Sequence, residues 1–184
     1  MNEAKIVQGV KLILEGLEVD TKDRNYIKTP FRVKDMLKEL FTKPAQFPQV
    51  FEEKYDEMVV LCGHKTWTLC PHHLLPVELT IHIAYIPQGG VVGLSKMARI
   101  AEAYLSKPTL QETLTHDVAD GMMNNIKPNP LGAACVIEGA HLCMRMRGIK
   151  TTSRVVTSAM RGSFLTKPEA RQEFLALTRG RNGM

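Results

Sequence analysis

Aromatic residues are scarce in this 184-residue chain: Trp67 is the only tryptophan, beside four tyrosines and six phenylalanines. Proteins that grip single-stranded nucleic acid stack bases on aromatic side chains set among basic ones. No such stripe is visible here, which argues against a nucleic-acid-binding module despite the formal charge of +5. Long apolar runs are also missing, and none approaches the roughly 20 residues that a membrane span needs. The opening Met1-Asn2-Glu3-Ala4-Lys5 carries charge early and has no apolar stretch of the secretory kind. Internal repeats and low-complexity tracts are absent. The expectation is a cytoplasmic protein with neither membrane nor nucleic acid as partner.

Cysteine is sparse as well: Cys62, Cys70, Cys135 and Cys143. Four thiols could form two disulfides, but in a reducing compartment metal binding or catalysis is the better default. With 44% hydrophobic and 23% charged residues, the balance is that of one soluble domain, with or without an extension. The basic excess fits either a solvated surface or an anionic ligand such as a nucleotide phosphate, and charge alone does not separate them.

The hydrophobic pattern gives a coarse architecture. Ile6, Val7, Val10, Leu14 and Leu17 recur at helical spacing over 3–17. Thr29-Pro30 reads as N-cap and first helical residue of a second helix, with Val33, Met36, Leu37, Leu40 and Phe41 inward. Pro44 and Pro48 end it and divide a helical extension, 1–48, from a main domain, 49–184. In that domain, 58–61 is a short strand candidate. Residues 77–85 alternate as a half-buried strand does. Two helices follow, one capped by Ser95 and one facing inward through Leu114, Val118, Met122 and Ile126. Segments 133–137 and 142–147 read as one bent or two consecutive strand segments, 153–157 as a further strand, 166–177 as a last helix, and 179–184 as a tail. Strand pairs flanking two helices predict an α+β domain: an antiparallel four-stranded sheet with two helices on one face.

The chemistry is concentrated in Cys70-Pro71-His72-His73 and in His141-Leu142-Cys143. Thiolate and imidazole are the donors zinc takes, and three protein donors plus an open position is the catalytic arrangement. We read Cys70, His73 and Cys143 as the metal ligands, with His72 and His141 beside them as acid/base groups. The plainer alternative is a buried cysteine pair and ordinary histidines. If 141–147 is extended, His141, Cys143, Arg145 and Arg147 share one face, which suits an anion-binding site. Ser95, Lys96 and Arg99 at a helix start could bind phosphate, but taken alone a simple cap with solvated charges explains them better. Thr109 and Glu112 fit a capping box, which would make Glu112 structural. Cys62-Gly63-His64 is a rival ligand pair with nothing to complete it. Cys135 reads as a small core residue, and His82 and His116 as surface or incidental.

With these residues in view, the chain resembles the GTP cyclohydrolase I family from Lys28 to about Phe174. The motifs are Thr29-Pro30-x-Arg32-Val33, Cys70-x-His72-His73, Ile83-Ala84-Tyr85-Ile86-Pro87, Gly93-Leu94-Ser95-Lys96-x-x-Arg99-Ile100, Leu110-Gln111-Glu112-x-Leu114-Thr115, His141-x-Cys143-x-x-x-Arg147-Gly148 and Val156-Thr157-Ser158. The resemblance implies the tunnelling fold and zinc on Cys70, His73 and Cys143. It implies acid/base roles for His72 and His141, and guanine held by Glu112 with Gln111. Ser95, Lys96, Arg99 and Arg147 would face the triphosphate. The implied activity is hydrolysis and rearrangement of GTP to 7,8-dihydroneopterin triphosphate and formate, in a homodecamer of two pentamers with sites between subunits. Pro71 stands where the family usually has Glu. Lys34-Asp35 stands where the family commonly has Ala and a basic residue.

Overall fold

The structure, a computed structural model, describes residues 1–42 and 50–179. The boundary expected at Pro44 and Pro48, and the tail beyond 179, lie outside the described residues. The chain divides into two compact units, Met1–Lys43 and Pro44–Met184.

The first unit is a helical pair, α1 (Glu3–Gly16) and α2 (Thr29–Phe41). The Asn2 side chain caps α1 by accepting from the Lys5 amide at 3.1 Å. Thr29 is not the cap of α2, as the sequence suggested. Lys28 holds that position, and the Thr29 hydroxyl donates instead to the Asn25 carbonyl. Pro30 does sit in the first turn, where its missing N–H costs nothing. Glu3 bridges the pair, 2.7 Å from Lys38 and 3.6 Å from Lys34.

The second unit holds a two-stranded ribbon of β1 (Val50–Phe51) and β4 (Val91–Val92), and a four-stranded antiparallel sheet. The sheet strands are β2 (Val59–Leu69), β3 (Pro76–Ile86), β5 (Gly132–His141) and β6 (Val155–Gly162), in the order β2-β3-β5-β6. Helices α3 (Leu94–Ala103) and α4 (Gln111–Asn125) cover one face. There Leu79, Ile81, Ile83 and Tyr85 of β3 meet Met97, Leu114, Val118 and Met122. Each such fully buried side chain contributes roughly 1.5–3 kcal/mol. The opposite face packs Ala84, Ala134, Val136 and Met160 against Phe164 of α6 (Ser163–Thr166) and Phe174 of α7 (Pro168–Thr178).

Several expectations change. β3 is buried on both faces rather than half-buried, because α6 and α7 cover the side that alternation assigned to solvent. β2 runs far past Leu61. Its second half pairs through polar but β-branched Thr66 and Thr68, which suit a pleated surface and are buried. A bulge between Leu61 and His64 interrupts it, with Gly63 at φ 71° supplying the left-handed residue. β6 begins two residues later than expected and continues to Gly162. α3 is capped by the Gly93 backbone with no side-chain cap, so Ser95 lies inside the helix. The Thr109–Glu112 capping box does not form, since α4 starts at Gln111 behind Leu110 with no side-chain cap.

The largest change concerns 141–147. β5 extends as one strand to His141, and Leu142–Arg145 then forms a helical turn, α5. Leu, Met and Arg all favour helix, and a short alternating run cannot choose between the two periods. In a helical turn residues two apart lie about 200° apart, so the expected shared face of His141, Cys143, Arg145 and Arg147 is lost.

Candidate functional site

The Cys/His cluster is built where β2 turns into β3. Leu69 and Pro76 are the last register pair, and Cys70 to Leu75 form the loop between them. The loop is closed by its own backbone: the Cys70 amide donates to the Leu75 carbonyl at 2.9 Å, and Leu74 donates to the Cys70 carbonyl at 2.8 Å. Leu74, at φ 53°, takes the left-handed conformation that the tight return needs. Cys70 is buried, and its sulfur lies 3.8 Å from His72 Nδ1 and 3.9 Å from His73 Nδ1.

The partner cluster arrives on the neighbouring strand. His141 is the register partner of Val77, one residue past the start of β3. The turn of α5 then brings Cys143 round, so that donor atoms of Cys70, His73 and Cys143 all lie within 4.8 Å of one another. A tetrahedral ion with bonds of about 2.0–2.3 Å sets its donors about 3.3–3.8 Å apart. Small side-chain movements close the group on an ion, and two thiols with one imidazole are soft-to-borderline donors. These three residues could hold a metal. Burial first, and then the Cys70 sulfur, push the Cys143 thiol above its ordinary range. Loading a cation therefore expels thiol protons.

The other expected residues divide into two sets. The Arg147 guanidinium lies 3.0 Å from His73 Nε2, at the cluster. Arg145 turns away, donating to the Thr152 carbonyl at 3.4 Å. Glu112 is exposed in the first turn of α4 and close enough to His141 to oppose the downward shift that burial imposes on the imidazole. Gln111 turns its amide into the fold and meets His141 Nε2 at 2.9 Å. By contrast, Ser95, Lys96 and Arg99 stand on the first turns of α3, whose Met97 and Ile100 pack into the core on the sheet face. The Val92 amide, just before that helix, donates to the Tyr85 hydroxyl at 2.8 Å. The start of α3 therefore lies toward the Tyr85 end of β3, and the Cys/His cluster at its Pro76 end.

Three residues in the neighbourhood carry parts that local pattern did not reveal: Thr115, Thr157 and Gly139. Thr115 and Thr157 join hydroxyls at 2.6 Å beneath Gln111. A polar residue inside the apolar stripe of α4 was the one available signal for Thr115.

The rival readings resolve differently. His64 pairs with Glu102 at 3.0 Å and Cys62 faces the Leu177 carbonyl at 3.7 Å, so the Cys62–His64 pair does not converge on one ligand. Cys135 is fully buried in the core, where burial pushes its thiol far up. His82 is not a surface residue: it is 1% exposed on the α7 side of the sheet.

The sequence profile of the family described as GTP cyclohydrolase I matches residues 6–179. The chain is 44% identical to a GTP cyclohydrolase 1 of Dehalococcoides mccartyi, over 96% of both chains. It is 42% identical to that of Aquifex aeolicus, over 98% of both. Among solved structures, an apo archaeosine synthase of the QueF-like type aligns over 57% of this chain and 93% of its own, at 18% identity and a TM-score of 0.47. Four antiparallel strands with two helices between the strand pairs form the arrangement that the resemblance required, and with the profile spanning nearly the whole length the chain belongs to the GTP cyclohydrolase I family.

Proposed function

We propose that this protein converts GTP to 7,8-dihydroneopterin triphosphate and formate, a first step towards folates, pterins or deazaguanines. Family membership supports the reading. The observation that carries it is the convergence of Cys70, His73 and Cys143 at one end of the sheet, beside His141 and Glu112. An ion held there, zinc by its donor set, supplies an acidified water and a Lewis acid when bound.

The chain's own residues do the rest. Glu112 accepts from guanine N1–H and the exocyclic amine. Gln111 pins the start of α4 that carries Glu112. His141 gives a proton to the imidazole ring of the purine, and His72 relays protons as water adds. Imidazole suits both tasks because it exchanges protons near neutral pH. Two waters are consumed while C8 loses its bonds to both ring nitrogens and departs as formate. The opened ribose rearranges to a ketone, and the freed amine closes on it with loss of one water.

Ser95, Lys96, Arg99 and Arg147 hold the triphosphate. Since α3 begins toward the opposite end of β3 from the cluster, we assign the first three to a neighbouring copy's site. Strands β2 and β6 leave two sheet edges through which copies can join. A ring of this kind, the decamer of two pentamers, places one chain's helix start against the next chain's cluster.

The test is to assay the purified protein for metal, and for pterin fluorescence and formate with GTP. One zinc per chain with stoichiometric formate is expected. A zinc-loaded protein that releases no formate from GTP would overturn the reading.

A further inference from the structure

Gln111 is 5% exposed, and its side chain is saturated. The two N–H groups of its Nε2 are shared among three acceptors, the Ile137 carbonyl at 3.0 Å, the Val155 carbonyl at 3.0 Å and the Thr157 hydroxyl at 3.1 Å. Carbonyl oxygens only accept, so the amide cannot be turned over: its nitrogen must face the strands and its oxygen must face His141. Below it, Thr157 donates to Thr115, and Thr115 donates to the Gln111 carbonyl at 2.7 Å. Every proton in the network then has an acceptor.

His141 Nε2 lies 2.9 Å from Gln111 Oε1, an atom that can only accept. The imidazole therefore carries its proton on Nε2. A neutral imidazole has one N–H, which leaves Nδ1 as the bare nitrogen, and Nδ1 has no partner among the described residues. Gly139 makes the contact possible, because a Cβ there would lie 2.0 Å from Gln111 Oε1 and 2.9 Å from His141 Nε2.

From this geometry we infer that Gln111 is a positioning residue which, seated by Gly139, locks His141 in the Nε2–H tautomer, so that Nδ1 is the atom that takes a proton from water and passes it to the purine. This rests on His141 acting in the reaction proposed above, and it adds which nitrogen acts and what fixes it.

Nitrogen-15 spectra of the full-length, metal-loaded protein labelled on histidine provide the test, with His141 assigned by difference from His141→Asn. The Nε2–H form is expected for neutral His141. The Nδ1–H form, or an even mixture, overturns the inference whatever the activity. Gln111→Leu removes the acceptor, and Gly139→Ala evicts Gln111 while leaving it in the sequence. Each should give mixed tautomers and lower kcat by at least about tenfold with metal content little changed, as loss of a tautomer-fixing partner does elsewhere. Unchanged kcat in a folded Gly139→Ala protein with mixed tautomers overturns the catalytic part. If the wild type shows the Nε2–H form yet releases no formate from GTP, the proposed activity falls and the tautomer assignment stands.

Discussion

Each face of the sheet carries a histidine, half-buried at His141 and buried at His82, and the two are treated differently. His141 ends a strand on the α3–α4 face, with one ring nitrogen bonded to Gln111 and the other left to the site. His82 lies mid-strand on the α7 face, where its Nδ1 takes the Gly63 amide at 3.3 Å and its buried Nε2 has no partner among the described residues. Burial lowers the proton affinity of both, opposed by Glu112 in one case and by Glu138 in the other. The contrast separates a histidine with a bonded Nε2 from one whose Nε2 is left without a partner among the described residues. An unpartnered buried N–H costs about 1–3 kcal/mol.

This contrast can be broken on the site face first. Cys143→Ser should abolish zinc content and formate release together, the largest effect expected, read by metal analysis and a formate assay. His141→Ala should keep its zinc and lose about 10²–10⁴-fold in turnover, the range of a positioned acid/base group. Full activity with metal bound would remove His141 from the mechanism. A third experiment asks whether one chain suffices. Arg99→Ala and His141→Ala, each inactive alone, should recover about a quarter of wild-type activity when co-assembled at equal amounts, since a site shared across a heterologous interface is intact in that fraction. No recovery would place both halves in the same chain.

The smallest effect belongs to His82. In the unfolded chain it takes a proton near pH 6.5, whereas the folded chain resists protonation to lower pH. Below that value the unfolded state holds more protons, so stability falls as pH drops through about 6.5 and is flat above it. The slope approaches about 1.4 kcal/mol per pH unit while one proton separates the states. In His82→Gln this component of the slope should vanish from urea-unfolding midpoints, with turnover unchanged. An identical slope in both proteins would assign the acid lability to other groups.

The sequence made the Cys/His cluster legible because donor chemistry is carried by residue type: a thiol and two imidazoles within four positions, and another pair further on, need no fold to be noticed. The inward residues of α4 were legible for a similar reason, since Leu114, Val118 and Met122 keep the helical period. The role of Gln111 was hidden because its partners, at Ile137, Val155 and Thr157, are assembled only when β5, β6 and α4 meet. The helical turn at Leu142–Arg145 was misread because four residues hold too little periodicity, and tertiary closure of the cluster decides between strand and helix. His82 was misplaced because an alternating strand shows which residues share a face, not how many faces are covered.

One irregularity far from the chemistry governs it. Before the extra residue near Gly63, the odd-numbered side chains of β2 look toward α3 and α4; after it, the even-numbered ones do. Cys70 inherits its orientation from that change of parity. Deleting Gly63 would remove the extra residue and leave Trp67 outward and Cys70 inward; a substitution that forced 59–69 into one regular strand with residue 63 kept would swing Trp67 inward and point the first sulfur of the cluster out the back of the sheet.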